Sequence, residues 1–251
     1  MIKRIGAEPV MEKRRSLLLI SFILVLALLV GVVLVWTKSK SKLGEESTSQ
    51  DLKSKPGSYE GMVLIPQATF VFKDRERSQK VSVHSFYVDQ YEVTVDAFMK
   101  FLKATSYRTS ASQEGEDGLF NKVNSLGIKY PVGFVSLQDA TAYCRWSGKR
   151  LPTPQEWQLA ALGTDGREWP WGVWSAKAAN VDTNTAAQVG SFPQDKSPYG
   201  VFDMGGNVLE WTPEGSIGGS YVGHDHSPTN LLKNLNDWVA NTGFRCAVDV
   251  K

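Results

Sequence analysis

His224-Asp225-His226 carries the residue types that most directly suggest a metal. Side chains at i and i+2 of an extended segment share a face, so His224 and His226 could pinch a cation, with Asp225 on the other side. A catalytic centre would need a third convergent ligand. The one other histidine, His84, falls on the polar phase of an early strand. A polar loop is the better explanation of the tripeptide. Thiol chemistry has two candidates, Cys144 and Cys246. A redox-active pair must be close, exposed and low in pKa, and a place inside a predicted helix does not suggest that for Cys144.

The elements that position these groups start with bulk properties. At 251 residues the chain has room for one good-sized domain plus appendages. A net charge of +2, 22% charged residues and no dense basic patch beyond the N-terminus argue against nucleic acid as a partner. Eight Trp and 22 Gly suit a loop-rich domain in which indoles fill the core.

Residues 16–36 form an uncharged run of 21 residues. A helix rising about 1.5 Å per residue spans roughly the 30 Å hydrocarbon core at that length. Signal-peptide cores are shorter, about 7–15 residues, and end in small residues. This run ends Val-Leu-Val-Trp with no Ala-x-Ala and no Cys after it, so an uncleaved anchor is expected. Five cations precede it (Lys3, Arg4, Lys13, Arg14, Arg15) and three follow (Lys38, Lys40, Lys42). That bias predicts a single-pass plasma or inner membrane protein. Residues 1–15 would be cytoplasmic and the rest extracytoplasmic, or periplasmic in a Gram-negative cell.

Residues 37–58 are polar and free of aromatics, a flexible linker, and a folded domain is expected over 59–251. Residues 61–66 and 69–72 read as short strands, and Val81–Val88 as one half-buried strand of period 2. Thr94 caps a helix over Val95–Ala104 with Val95, Phe98, Phe101 and Leu102 on one face. Ser136 and Asp139 open a second helix that stops at Gly148. Thr153-Pro154-Gln155-Glu156 is a capping box opening a third, which Gly163 ends. From 164 onward Gly, Pro, Asn, Asp and Trp dominate without periodicity.

Ordered blocks run through this irregular part. They include Gly148-Lys149-Arg150-Leu151-Pro152-Thr153, Pro170-Trp171-Gly172, Tyr199-Gly200-Val201-Phe202-Asp203-Met204, Gly205-Gly206-Asn207-Val208-Leu209-Glu210-Trp211, Gly218-Gly219-Ser220-Tyr221 and Gly243-Phe244-Arg245-Cys246. Together they resemble the formylglycine-generating enzyme (sulfatase-modifying factor) family from about Gly61 to Asp249. The resemblance implies an α+β fold, a variant of the C-type lectin fold with much irregular backbone, here preceded by one transmembrane helix. It implies a disulfide between Cys144 and Cys246. It also implies structural calcium, which takes about six to eight hard oxygens. Asp203 and Glu210 carry over as side-chain ligands and Gly206 and Val208 as carbonyl donors. Asn180 and the Val181 carbonyl would begin a second site, whose acidic partner the shorter chain there does not identify, Asp182 and Asn184 being candidates for a further oxygen.

The family's chemistry is less well matched. Its oxidases use two cysteines after Gly-Gly-Ser to hold copper and engage the substrate thiol. Those positions fall at Gly223 and Pro228, so no copper is expected. Ser220 is kept, Leu209 stands in place of an active-site Trp, and the arginines expected near 231–238 are missing. The leading reading is a non-catalytic, membrane-anchored domain serving as accessory subunit of a membrane protein complex, an electron-transport complex being one candidate host. Its partners would be integral membrane proteins. The first alternative is a lectin-like binding module presenting Ser220, Tyr221, His224, His226 and Trp238. The second is an altered metal-dependent oxidase using His224 and His226.

Overall fold

Phe70 and Phe72 enter the core from strand β2 (Ala68–Lys73), while Thr69, Val71 and Lys73 between them face outward, the period-2 pattern of a half-buried strand. The computed structural model describes residues 59–75, 78–222, 227–229, 231–233 and 239–250. The expected membrane span and linker lie outside these residues. Among those described, no helix is long and apolar enough to cross a membrane.

Strand β1 (Met62–Ile65) pairs antiparallel with β4 (Phe86–Asp89), and β4 with the last strand, β8 (Ala247–Asp249). Strand β2 pairs with β3 (Ser78–Val83) in a two-stranded sheet. A third sheet has the order β6 (Gly215–Ile217), β5 (Leu209–Thr212), β7 (Thr242–Gly243), with β5 and β7 parallel.

The single strand expected over Val81–Val88 is in fact two, in different sheets. Val81 and Val83 point inward on one phase, Phe86 and Val88 on the other, and His84-Ser85 takes the slip between them. A one-residue slip sends every later side chain to the opposite face, so one strand cannot carry both pairs.

All three expected helices form. Thr94 Oγ1 accepts from the Ala97 amide at the start of α1 (Val95–Thr105), which buries Val95, Phe98 and Phe101 and ends at Ser106 in the left-handed conformation, φ 54°. Two short helices follow, α2 (Ser110–Gln113) and α3 (Asp117–Val123), in a polar stretch without apolar period. In α4 (Leu137–Trp146) and α5 (Pro154–Leu162) both capping boxes close, with Asp139 returning to the Ser136 amide at 2.9 Å and Glu156 to the Thr153 amide at 2.8 Å. Trp157 to Leu162 are all buried, so α5 is a core helix, not an amphipathic one.

Two apolar clusters hold the domain. One gathers Ile65, Phe70, Phe72, Phe86 and Val88 around α5, and the other gathers Phe98, Phe101, Phe120, Trp211 and Phe244 around the disulfide between Cys144 and Cys246. From the irregular 164–208 chain, Val201 and Met204 join the first of them.

Candidate functional site

The Gly205-Gly206 pair exists because two groups come too close for a side chain. A Cβ on Gly205 would lie 2.4 Å from the Trp171 ring, and one on Gly206 would lie 2.8 Å from the Asn180 carbonyl. Asp203 (φ 59°) and Asn207 (φ 67°) flank the pair in left-handed conformations that Asp and Asn tolerate better than most residues. Asn207 then acts as a hub. Its Nδ2 donates to Glu92 Oε2 at 2.7 Å, and its Oδ1 accepts from Asn180 Nδ2 and the Ala187 amide, both at 2.9 Å. Its own amide donates to the Asn180 carbonyl, and its carbonyl accepts from the Tyr221 amide at 2.8 Å.

Beneath the loop lies a buried ionic cluster. Glu92, Asp195, Asp203 and Glu210 are each at most 2% exposed, and Arg245 is 0% exposed. A guanidinium has five N–H donors, and Arg245 spends all of them. Its Nε and Nη2 grip Glu210 at 2.7 Å each, Nη1 donates to the Asp89 and Gln90 carbonyls, and Nη2 donates to the Phe202 carbonyl. Trp157 Nε1 completes the Glu210 carboxylate at 2.8 Å.

Four acids facing one guanidinium shift the titrations. Burial, then the charges of Asp203 and Glu210, raises Glu92 well above the usual carboxylate range. Burial, then Asp203, does the same to Asp195 despite two bonds from the Gly205 amide. Burial lifts Asp203 to about 6, against the Gly190 amide and Arg245, which pull it down. Burial opposes the charge on Arg245, but Glu210 outweighs it and holds the guanidinium protonated.

The residues expected to hold calcium are thus gathered around one loop, and they fit that ion in kind more than in arrangement. Glu210 has both oxygens committed to Arg245 and Trp157. Asn180 Oδ1 accepts from Thr183, and the Asn180 carbonyl from Asn207. Asp203 Oδ2 takes one bond, from the Gly190 amide at 2.6 Å. Asp182 (φ 53°) and Asn184 (φ 61°) are both left-handed, the latter donating its amide to the Tyr221 carbonyl. Among the described residues, no three His, Cys, Asp or Glu side chains converge as a metal site. Four buried carboxyls stand against one guanidinium, an arrangement that is costly unless protons or a cation neutralise it.

On the other side of the Tyr221–Asn207 bond lies Ser220, 3% exposed. Its Oγ donates to the Val222 carbonyl at 2.7 Å and accepts from Asn241 Nδ2 at 2.9 Å. Among the described residues its partners are a carbonyl, an amide and an Asn side chain, with neither imidazole nor carboxylate to activate it. Tyr221 is buried, which raises its phenol pKa. Leu209 is buried with its amide on the Asn241 carbonyl, and Pro228 is buried as well. Gly223, His224, Asp225, His226 and Trp238 lie outside the described residues.

Sequence reasoning missed Glu92, Asp195 and Asn241. The signal for Glu92 was an acid set among apolar neighbours in Tyr91-Glu92-Val93, where a solvated face would show more than one polar residue. Asp195 and Asn241, in runs of polar loop residues, gave none.

A family model described as the sulfatase-modifying factor enzyme 1-like domain matches residues 48–250. The formylglycine-generating enzyme of Mus musculus is 29% identical, over 75% of this chain and 75% of its own. A Bos taurus relative named inactive C-alpha-formylglycine-generating enzyme 2 is 31% identical over 67% of this chain and 79% of its own. Among solved structures, that of CarF aligns with a TM-score of 0.59 at 19% identity, covering 76% of this chain and 98% of CarF, a likeness of fold alone. With its mixed helix–strand architecture and its disulfide, the chain belongs to the sulfatase-modifying factor enzyme 1-like domain family.

Proposed function

We propose that this chain is a non-catalytic member of its family, a membrane-anchored extracytoplasmic domain serving as accessory subunit of a membrane protein complex, with an electron-transport assembly as candidate host. The observation that carries the reading is the thiol inventory. The chain has two cysteines, and both are spent in the Cys144–Cys246 disulfide. No thiolate is left to hold copper or to form a mixed disulfide with a substrate cysteine. Gly223 and Pro228 stand where the family's reactive cysteines would fall. A bovine relative that bears the word inactive in its name supports the same direction. The anchor rests on the apolar run 16–36, and integral membrane partners rest on that anchor.

Two measurements on the full chain test this. Extracted in mild detergent, it should co-migrate with other membrane proteins, and recovery only as a monomer would sink the accessory role. Given copper, oxygen and a Cys-x-Pro-x-Arg peptide, it should form no aldehyde above the metal-only background. Turnover would restore an enzyme reading.

We also propose structural calcium at the 203–210 loop, supported by the surplus of buried carboxyls over guanidinium. Asp203 and the Gly206 and Val208 carbonyls would supply oxygens, with Glu210 joining if it leaves Arg245. Asn180 and the Val181 carbonyl would belong to a second site. A ligand at a hundredfold its Kd stabilises by about 2.7 kcal/mol, so a chelator should clearly lower the melting temperature. The pH dependence gives a second readout. Asp203 titrates at about 6 in the fold against 3.8 ordinarily, so the metal-free fold binds more protons across that interval. Its stability should therefore fall as pH rises from about 4 to 6, by on the order of 3 kcal/mol for this group. Calcium should flatten that slope. Identical melts with and without chelator at pH 5 and 7 would show that the loop holds no calcium.

A further inference from the structure

Strand β2 is paired on one edge and open on the other. In an antiparallel ladder, successive residues turn their N–H and C=O alternately toward and away from the partner. The Lys73 amide donates to Gln158 Oε1 at 2.8 Å, and Gln158 Nε2 donates back to the Lys73 carbonyl at 2.8 Å. Lys73 therefore faces away from β3. By alternation so do Val71 and Thr69, leaving Phe70 and Phe72 to carry the ladder with β3. Among the described residues, no backbone bond reaches Thr69 or Val71 from the open side. A groove of about 400 Å³ runs along that edge, with Phe70 and Val71 on one wall and Gln158, Leu162 and Trp169 on the other.

We propose that this groove takes an extended peptide of a partner protein as an added strand, bonded to the Val71 N–H and C=O and alternating apolar with acidic side chains. Gln158 shows what the edge accepts, since its side-chain amide fills one position of the missing strand with the paired bonds a backbone amide would make. The peptide residue opposite Val71 lies on the outer face. There Lys73 is its diagonal neighbour and Lys80 is Val71's cross-strand partner, both exposed, so an acid is matched in charge. In the groove lining itself Lys73 stands beside Glu168, while Arg167 is paired with Asp165, so the attraction for an acid rests on Lys73 and Lys80. The flanking peptide residues turn inward to Phe70, Leu162 and Trp169, where apolar side chains fit. None of Ser220, Tyr221, Asn241 or the buried carboxylates lines this groove, so the inference stands whether or not the chain is catalytic.

The probe is fluorescein-labelled Glu-Val-Glu-Leu-Glu, blocked at its C-terminus, added to the full chain in mild detergent. Hydrogen exchange at the Val71 amide should slow on addition, while amides of α1 keep their rates. Val71→Pro removes that donor at a position where an edge strand tolerates proline. It should leave the melt unchanged and weaken the peptide roughly tenfold, the loss of one hydrogen bond of ordinary strength. Should that variant fail to fold, peptides N-methylated on alternate residues give the same test. One methylation phase should weaken binding and the other should not. Unchanged Val71 exchange at millimolar peptide, equal binding by Val71→Pro, or two equivalent methylation phases would each overturn the proposal.

Discussion

Replacing Arg245 with methionine will remove about 3–5 kcal/mol of stability, the range found when one partner of a buried ion pair is deleted. The side chain is 0% exposed and all its donors are engaged. Its loss leaves Glu210 buried with the Trp157 indole as the donor that remains, and it takes a donor from the carbonyls of Asp89, Gln90 and Phe202, of which Gln90 keeps the Phe202 amide. Those carbonyls belong to the end of β4 and to the loop before Asp203, so the damage reaches two sheets and the Gly-Gly loop together. Arg245 also lowers the pKa of Glu92 and Asp203, and without it both carboxylates shift further up. Chemical denaturation of Arg245→Met against the parent checks this. The companion Glu210→Gln/Arg245→Met should recover part of the loss, because a neutral amide can stay buried where an unpaired carboxylate cannot. Arg245→Lys should recover little, since one ammonium cannot meet five acceptors spread over a plane. An Arg245→Met variant as stable as the parent would mean that Glu210 is neutral in the fold or paired with something else.

Signals local in sequence were the legible ones. Ser136 with Asp139, and Thr153 with Glu156, announce their helices because a capping box is a bond between residues three apart. Thr94 and the spacing of Val95, Phe98 and Phe101 do the same for α1. Strands β5 to β8 gave no such signal. They hold two to four residues each, and β5 is buried on both faces, so Leu209-Glu210-Trp211-Thr212 shows no alternation. Apart from the β5–β6 hairpin their partners are distant, as with Glu210 and Gly243, and no short window of sequence contains both.

The site divides the same way. Asp203, Gly206, Val208 and Glu210 were named as one loop through the family resemblance, and eight consecutive residues hold them close in any fold. That Glu210 answers to Arg245 and Trp157 was not legible. A buried acid and a solvated one are the same letter, and only the fold brings residues 157, 210 and 245 to one point. Ser220 was likewise visible as a residue but not as a hydroxyl bonded to Val222 and Asn241.

Removing the disulfide through Cys144→Ala/Cys246→Ala should cost about 4.7 kcal/mol or more, the chain-entropy figure for a closed loop of about 100 residues being the part that loop closure supplies. The two cysteines are 102 residues apart, and their Cα atoms lie 5.7 Å from each other, within the ordinary range. Both sulfurs are buried in the cluster of Phe98, Phe101, Trp211 and Phe244, so the variant also loses packing there. The bond ties α4 to the chain entering β8, a strand of three residues whose approach is otherwise set by Asp89. The Asp89 carboxylate accepts from the Cys246 amide at 2.9 Å, and the Asp89 amide donates to the Cys246 carbonyl. Loosening that end of the chain also loosens Arg245, one residue away, so the loss should exceed what loop entropy gives for a surface bridge of equal span. In the native, non-reduced chain neither cysteine should take an alkylating agent, and digestion should yield one linked peptide pair. Two thiols labelled without reductant, or an alanine variant that melts with the parent, would show that the bond is absent or idle. Disulfides of this kind persist in oxidising compartments. A chain made in a reducing cytosol should therefore melt as the alanine variant does, and exposure to an oxidant should restore the difference.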